Sequence, residues 1–169
     1  LEKLAVETET RLIADAACSL GASRSGRECG SHGDMGCFSF HPRKVVTCGE
    51  GGMITTDDSF LASRLKSLRN HGSQKTANRK LEFVEPGFNY RLSEIPAAIG
   101  LAQMRRIDQI LLDRRSTAGR YDAGLAPIPG IRVPVASSDA LWSYQSYVVV
   151  LDEMVDRDLV VAGMADQGI

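Results

Sequence analysis

Short apolar runs alternate with helical patterns over the first hundred residues of the chain. Strand-like runs lie at residues 11–14, 35–40 and 52–56, and residues 1–9 have the pattern of the end of a helix. Apolar positions that switch between the strand period and the helix period are typical of proteins that layer helices on a sheet. The pattern therefore predicts an α/β fold with a mostly parallel sheet and flanking helices.

Two longer helical segments follow the third strand-like run. The first begins after Asp58, a good N-cap residue, and ends at Gly72, where glycine suits a left-handed cap. Its apolar face is formed by leucines at helical spacing, Leu61, Leu65 and Leu68. The second helical region begins at Ser93 and extends to the proline-rich break that starts at Pro127.

The remaining segments predict connections and a second, smaller unit. Residues 21–33 are rich in Gly, Ser and charge and predict an irregular connection, and the polar residues 73–86 predict a loop. After Pro127, strand-like runs lie at 131–135 and 147–151, and residues 156–168 predict a helix. We interpret this last part of the chain as the start of a small α/β unit.

Composition narrows the class of protein. The 169 residues are 43% hydrophobic and 24% charged, with a formal net charge of −1, which is typical of a globular protein and gives no electrostatic case for nucleic acid or an anionic membrane. No apolar run approaches the roughly 18 residues of a spanning helix, and the first residues do not resemble a signal peptide. We therefore expect a cytoplasmic protein without a nucleic-acid or membrane partner.

The cysteines form no C-x-x-C pair and the histidines are scattered along the chain. We therefore expect reduced thiols and no metal site.

Three residues near the predicted strand ends suggest cofactor chemistry. Asp15 directly follows the first strand-like run, Ser39 lies at the end of the second, and Lys44 follows five residues later. Ligand sites of open α/β sheets lie outside the carboxyl ends of their strands. An amine that forms a Schiff base, an acid that keeps a pyridine nitrogen protonated, and a hydroxyl for phosphate are what pyridoxal phosphate (PLP) requires.

Each of these residues also has an ordinary structural interpretation. A lone lysine is nearly always a solvated surface residue, an aspartate after a strand is often a turn or cap residue, and a strand serine can bond to the backbone. Residues 49–52 (GEGG) match neither the dinucleotide-binding nor the P-loop pattern, and they favour a tight turn beside a ligand. Residues 87–91 (GFNYR) suit either an ordinary capping loop or an anion site before a helix.

Five motifs in order carry a family resemblance. The chain closely resembles the DegT/DnrJ/EryC1/StrS family of PLP-dependent sugar aminotransferases over roughly residues 1–151, through residues 15–22 (DAACSLGA), 33–44 (GDMGCFSFHPRK), 49–52 (GEGG), 70–72 (NHG) and 87–93 (GFNYRLS). The resemblance implies the aspartate aminotransferase-like fold, called fold type I. It also implies a homodimer with active sites at the subunit interface.

The resemblance assigns a role to several residues. Lys44 corresponds to the Schiff-base lysine and Asp15 to the partner of the pyridine nitrogen, while Ser39 corresponds to a phosphate-binding serine. Asn89 corresponds to an asparagine that reaches the phosphate of the neighbouring subunit's cofactor, and Arg91 lies where the family contacts substrate. Cys18 stands beside the cofactor ring, at a position where the family usually has glutamine or histidine.

Family members are longer, so the resemblance implies that this chain is a fragment. Residues 1–115 are expected to be part of the PLP-binding large domain, and residues 116–169 a linking helix and the beginning of a small C-terminal domain. The implied activity, expected of the full-length protein, moves an amino group from an amino acid, glutamate by analogy, to a nucleotide-linked keto sugar. Two alternatives stay open: a PLP-dependent sugar dehydratase, and a non-catalytic or truncated paralogue that acts as a dimerisation module.

Overall fold

A three-stranded sheet contains two of the predicted site residues, Asp15 and Ser39, at the ends of its strands. The computed structural model describes residues 1–169. Strand β1 (Ile13–Asp15) runs parallel to β4 (Met35–Ser39), and β4 runs antiparallel to β5 (Gly52–Thr55). The three strands predicted from the apolar runs are therefore confirmed, with ends shifted by no more than two residues.

The remaining elements are helices and short antiparallel strand pairs. The helices are α1 (Glu2–Glu7), α2 (Ser59–Leu68), α3 (Glu94–Met104), α4 (Ile107–Leu125) and α5 (Arg157–Asp166). The other strands are β2 (Ser23–Arg24), β3 (Arg27–Glu28), β6 (Ser73–Lys75), β7 (Leu81–Phe83), β8 (Ile131–Arg132), β9 (Ala140–Leu141) and β10 (Val150–Leu151). None of the helices is long and apolar enough to cross a membrane.

The expectation of a mostly parallel sheet is wrong for these residues. Among the paired strands only β1 and β4 are parallel; the other pairs are antiparallel. Residues 40–51 explain the difference, because they form a loop that returns the chain directly along β4 without a crossover helix. A connection of that kind can join only antiparallel neighbours.

The helix signals of the sequence are largely reproduced. Asp58 caps α2 by accepting from the backbone N–H groups of Phe60 (2.8 Å) and Leu61 (3.2 Å), and Gly72 follows the helix at φ +71°. Asp156 caps α5 in the same way. The long helical region after Ser93 is divided in two, since the chain turns at residues 105–106 between α3 and α4.

Two segments expected to be irregular contain β-hairpins. Residues 21–33 include β2 and β3, joined by Ser25 (φ +50°) and Gly26 (φ +75°), which gives a two-residue turn of the kind that suits a twisted hairpin. Residues 73–86 include the pair β6–β7. Both predictions failed because strands of two or three residues are too short for an alternating pattern to be recognised.

The last part of the chain packs back on the first. Strand β9 pairs with β2, and β8 pairs with β10, so the predicted strand at 147–151 is reduced to its final two residues. Helix α4 runs without interruption through residues 115 and 116. The domain boundary expected there stays a prediction.

The core is formed mainly by buried residues of the loop that joins β4 to β5. Phe40, Val46 and Cys48 form the buried cluster, and Leu20 and Ile107 pack against it. Val46 is completely inaccessible to solvent, and its neighbour Val45 is also buried. The loop that contains Lys44 is therefore anchored by burial on both sides of its turn.

Candidate active site

The 40–51 loop holds Lys44 over the core. The Lys44 N–H donates to the His41 carbonyl (2.9 Å), which closes a tight turn. Three residues later, Gln103 of α3 makes two hydrogen bonds with the backbone of Thr47: its amide donates to the Thr47 carbonyl (2.6 Å) and accepts from the Thr47 N–H (3.1 Å). A paired amide contact fixes a loop segment in position and direction. Lys44 thus projects from a loop with a defined path.

The amine of Lys44 lies against the thiol of Cys18. Lys44 Nζ donates to Cys18 Sγ at 2.9 Å, and the two residues belong to loops that leave the ends of neighbouring strands. Cys18 is exposed and Lys44 is partly exposed, so both groups are accessible from solvent. The contact places the only primary amine of this loop beside a polarisable sulfur.

Asp15 and Ser39 end the two parallel strands. Asp15 is in register with Cys37, two residues before Ser39, and the Ala16 N–H continues the ladder to the Cys37 carbonyl (2.9 Å). The carboxyl ends of both strands therefore open on one edge of the sheet, the edge from which the Cys18 and Lys44 loops leave.

The two side chains also make local backbone contacts. Asp15 Oδ1 accepts from the Ala17 N–H (3.1 Å), and Ser39 Oγ accepts from the His41 N–H (3.3 Å). These are the bonds expected of a turn aspartate and a strand-end serine. Each side chain nevertheless keeps free capacity, since the second carboxylate oxygen of Asp15 and the hydroxyl proton of Ser39 make no hydrogen bond.

No ion pair neutralises the acid or the amine of this edge. Neither Asp15 nor Lys44 takes part in any of the chain's salt bridges, and the nearest one along the sequence joins His41 and Glu50 at 3.9 Å. Asp15 and Lys44 are also not paired with each other. An amine, an acid and a hydroxyl with unused bonding capacity at one edge could together hold a ring that bears an aldehyde, a basic nitrogen and a phosphate.

Asn89 and Arg91 lie apart from this group. Asn89 forms an isolated antiparallel bridge with Asn70, and Arg91 Nη1 donates to the side-chain oxygen of Asn70 (2.7 Å). Neither residue makes a hydrogen bond with Asp15, Cys18, Ser39 or Lys44. The structure therefore brings four of the six predicted site residues to one edge and leaves two on the segment beside the end of α2.

Several side chains that frame the site were not found from the sequence. They are Gln103, Arg114, Arg115 and Gln145. For the two arginines the sequence did contain a signal. Arg114 and Arg115 stand three and four residues after Leu111, so they share the face of α4 that contains the buried Leu111 and Ala118. Basic residues on the buried face of a helix are unusual and indicate a specific partner. Gln103 and Gln145 carry no such signal.

Comparison with known proteins identifies relatives along the whole chain. The family model described as the DegT/DnrJ/EryC1/StrS aminotransferase family matches residues 1–169. GDP-perosamine synthase of Caulobacter vibrioides is 41% identical over 162 residues, which are 94% of this chain and 43% of that protein.

Solved structures agree with this result. The aminotransferase TlmJ of Streptoalloteichus hindustanus is 33% identical, with a TM-score of 0.88 over 99% of this chain and 45% of that chain. DesI, solved in the presence of its TDP-sugar product, is 35% identical, with a TM-score of 0.86 over 99% of this chain and 43% of that chain. The present chain spans less than half the length of the relatives it matches, and it has the fold of the corresponding part of these enzymes. It belongs to the DegT/DnrJ/EryC1/StrS aminotransferase family.

Proposed function

We propose that these residues are part of a PLP-dependent aminotransferase that moves an amino group from an amino acid to a nucleotide-linked keto sugar. The observation that carries the proposal is the amine of Lys44, which has no carboxylate partner and lies beside Cys18 at the sheet edge where Asp15 and Ser39 end their strands. Family membership and the likeness to GDP-perosamine synthase and to DesI with its TDP-sugar product support the substrate class. Glutamate as amino donor is our inference from the family.

Within the complete protein, we assign residues 1–115 to the large domain of a fold type I enzyme. Residues 116–169 would form the linking helix and the beginning of the small C-terminal domain. The mixed α/β content and the solved aminotransferases, of which this chain covers less than half, support that assignment.

Four residues would hold the cofactor. Lys44 would bind its aldehyde carbon, Asp15 would face the pyridine nitrogen, Ser39 would donate to the phosphate, and Cys18 would lie beside the ring. PLP, when bound, supplies an electron sink for the carbanion chemistry of amino transfer. An aspartate that remains ionised keeps the ring nitrogen protonated, and the protonated ring draws electrons more strongly.

Lys44 has two successive roles in this proposal. It would first hold the cofactor, and once an amino donor has freed it, its Nζ would accept and return the proton of the substrate Cα. The 2.9 Å contact with Cys18 Sγ holds the freed amine in place between the two roles. Proton transfer by a positioned group contributes roughly 10²–10⁴-fold to a rate.

Asn89 and Arg91 would act in a homodimer. Both are exposed and lie away from Lys44, which suits an asparagine that reaches the phosphate bound by a second copy and an arginine that meets the substrate. The surrounding surface is apolar, since Phe88 and Tyr90 stack at 4.9 Å while mostly exposed. A cofactor-bound structure in which one chain alone surrounds each cofactor would contradict this assignment.

The experiment that tests the function compares two lysine variants of the complete protein. Lys44→Ala removes the proposed attachment point, whereas Lys66→Ala removes an exposed lysine of the last turn of α2. We expect the visible absorbance of covalently bound PLP, and amino transfer from glutamate to a nucleotide keto sugar, to be lost in Lys44→Ala only. Absorbance and full turnover retained in Lys44→Ala would refute the assignment.

A further inference from the structure

Residues 142–145 connect the two loops that form the Cys18–Lys44 contact. Arg115 of α4 donates through Nε to the Trp142 carbonyl (2.9 Å) and through Nη2 to the Gly21 carbonyl (2.9 Å). Gly21 closes the loop that contains Cys18 and leads into β2. One guanidinium group therefore joins α4, the 142–145 segment and the Cys18 loop.

The neighbouring arginine holds the other end of the same segment. Arg114 donates from Nε (3.0 Å) and Nη2 (2.8 Å) to the Tyr144 carbonyl, and from Nη2 to the Gln145 carbonyl (3.0 Å). Neither arginine has a carboxylate partner, so the donors of both half-buried guanidinium groups are directed at backbone carbonyls. Arg geometry suits such forked contacts, which lysine cannot reproduce.

The segment is held in an unfavourable backbone conformation. Tyr144 has φ +49°, in the left-handed region that non-glycine residues seldom adopt, and its neighbour Ser143 is buried. A residue stays in that region only where its surroundings determine it, and such residues concentrate at functional sites. The hydrogen bonds of Arg115 to the Trp142 carbonyl, before the bend, and of Arg114 to the Tyr144 and Gln145 carbonyls hold this conformation in place.

Gln145 joins the segment to the Lys44 loop. Its side-chain amide donates to the carbonyl of Arg43, the residue before Lys44, while its own side-chain oxygen is buried without a donor. Gln103 holds the same loop at Thr47 with both ends of its amide used. A buried amide oxygen without a donor lowers the stability of the folded state. The contact that Gln145 does make holds the carbonyl next to Lys44.

We propose that the 142–145 segment sets the separation of the two loops, and that Gln145 and Arg115 are positioning residues for the Lys44 amine. The inference rests on the proposed function of Lys44 and extends it to residues that touch neither cofactor nor substrate. Gln145 fixes the backbone from which Lys44 projects, and Arg115 fixes the loop that presents Cys18. Misplacement of a reacting group by about 1 Å costs up to roughly 100-fold in rate.

The test measures, in the complete protein, which lysine carries PLP after borohydride reduction has fixed the bond between them. The chain has five lysines, and the other four, Lys3, Lys66, Lys75 and Lys80, serve as internal references in peptide mass spectrometry. Gln145→Met keeps the side-chain length and removes the donor, and Arg115→Lys keeps the charge and removes the fork. Gln109→Met is the matched control, because Gln109 is exposed and bonds only to Asp113 within α4.

In the unchanged protein and in Gln109→Met, we expect the label to concentrate on Lys44. In Gln145→Met and Arg115→Lys, the Lys44 share relative to the other lysines should fall about tenfold, and the visible absorbance of covalently bound PLP should fall with it, as expected for a misplaced group. Thermal unfolding recorded on the same samples shows whether each variant is folded. If Gln145→Met is unfolded at the labelling temperature, Gln145→Glu, which keeps the shape and loses the N–H donor, replaces it.

Two negative results have different meanings. A Lys44 share and a visible absorbance that stay unchanged in the folded Gln145 and Arg115 variants would overturn the positioning role and leave the proposed function intact. A label spread evenly over Lys44 and the four reference lysines in the unchanged, complete protein would refute the proposed function itself. The positioning role depends on that function and would be overturned with it.

Discussion

At the scale of single residues, Asp15 has both a structural contact and unused bonding capacity, since one carboxylate oxygen is bound to its own turn and the other makes no hydrogen bond. The positions of Asp15, Ser39 and Lys44 relative to strand ends were readable from the apolar runs, and these residues do lie at one sheet edge. The contact between Lys44 and Cys18 was not readable, because it depends on how two loops of different strands return over the same edge.

The substitution Asp15→Asn separates the structural from the chemical role of this residue. Asparagine retains an oxygen that accepts from the Ala17 N–H, so the turn should persist, but it carries no charge to keep the ring nitrogen protonated. We expect PLP still to bind to Lys44 and amino transfer to fall roughly 10²–10³-fold, as for loss of one preorganised electrostatic contact. Single-turnover kinetics of the complete protein would measure it. Transfer at the original rate would show that Asp15 is only a turn residue.

At the scale of elements, apolar patterns predicted the longer strands and the capped helix and failed where strand pairing is short and local. The strands β4 and β5 and the capped helix α2 follow from their sequence patterns, whereas the strands of the hairpins β2–β3 and β6–β7 are too short to show one. The apolar run 147–151 misled in the opposite direction, since only its last two residues pair in a sheet and its first residue, Tyr147, contacts α4 instead. There Tyr147 donates to Asp122 Oδ1 at 2.5 Å.

The Tyr147–Asp122 contact predicts a pH dependence of stability. Burial, and then the hydrogen bond to the Asp122 carboxylate, raise the pKa of Tyr147 from 10.0 to about 12. The folded state therefore holds the phenol proton more tightly than the unfolded state. The resulting stabilisation is fully present below about pH 10 and is lost as the pH rises toward about 12.

Replacement of this tyrosine tests the contact between α4 and the following segment. Tyr147→Phe should unfold at a lower temperature than the unchanged chain near neutral pH, and the two unfolding temperatures should converge between about pH 10 and about pH 12. Tyr90→Phe, at a tyrosine that is 72% exposed, is the control and should change neither value. Unfolding curves for Tyr147→Phe that stay parallel to the original across this range would contradict the contact.

At the scale of the whole molecule, the chain buries little and exposes much. Only 14 of its 169 residues are buried, while many large apolar side chains are exposed, among them Phe83, Phe88, Ile95 and Leu101. Apolar surface on that scale is typical of regions covered by other parts of an assembly. Composition alone could not reveal this, because 43% hydrophobic residues is also the balance of a self-contained domain. The exposure agrees with our proposal of a longer, dimeric enzyme.

The measurement that tests the central claim most directly is a crystal structure of the complete protein with PLP. We expect the Lys44 nitrogen to be bonded to the aldehyde-derived carbon of the cofactor. The Asp15 carboxylate should lie within hydrogen-bond distance, about 2.7–3.2 Å, of the pyridine nitrogen, with Asn89 of a second chain at the phosphate. A cofactor bound elsewhere, or bonded to another lysine while Asp15 faces solvent, would contradict the account.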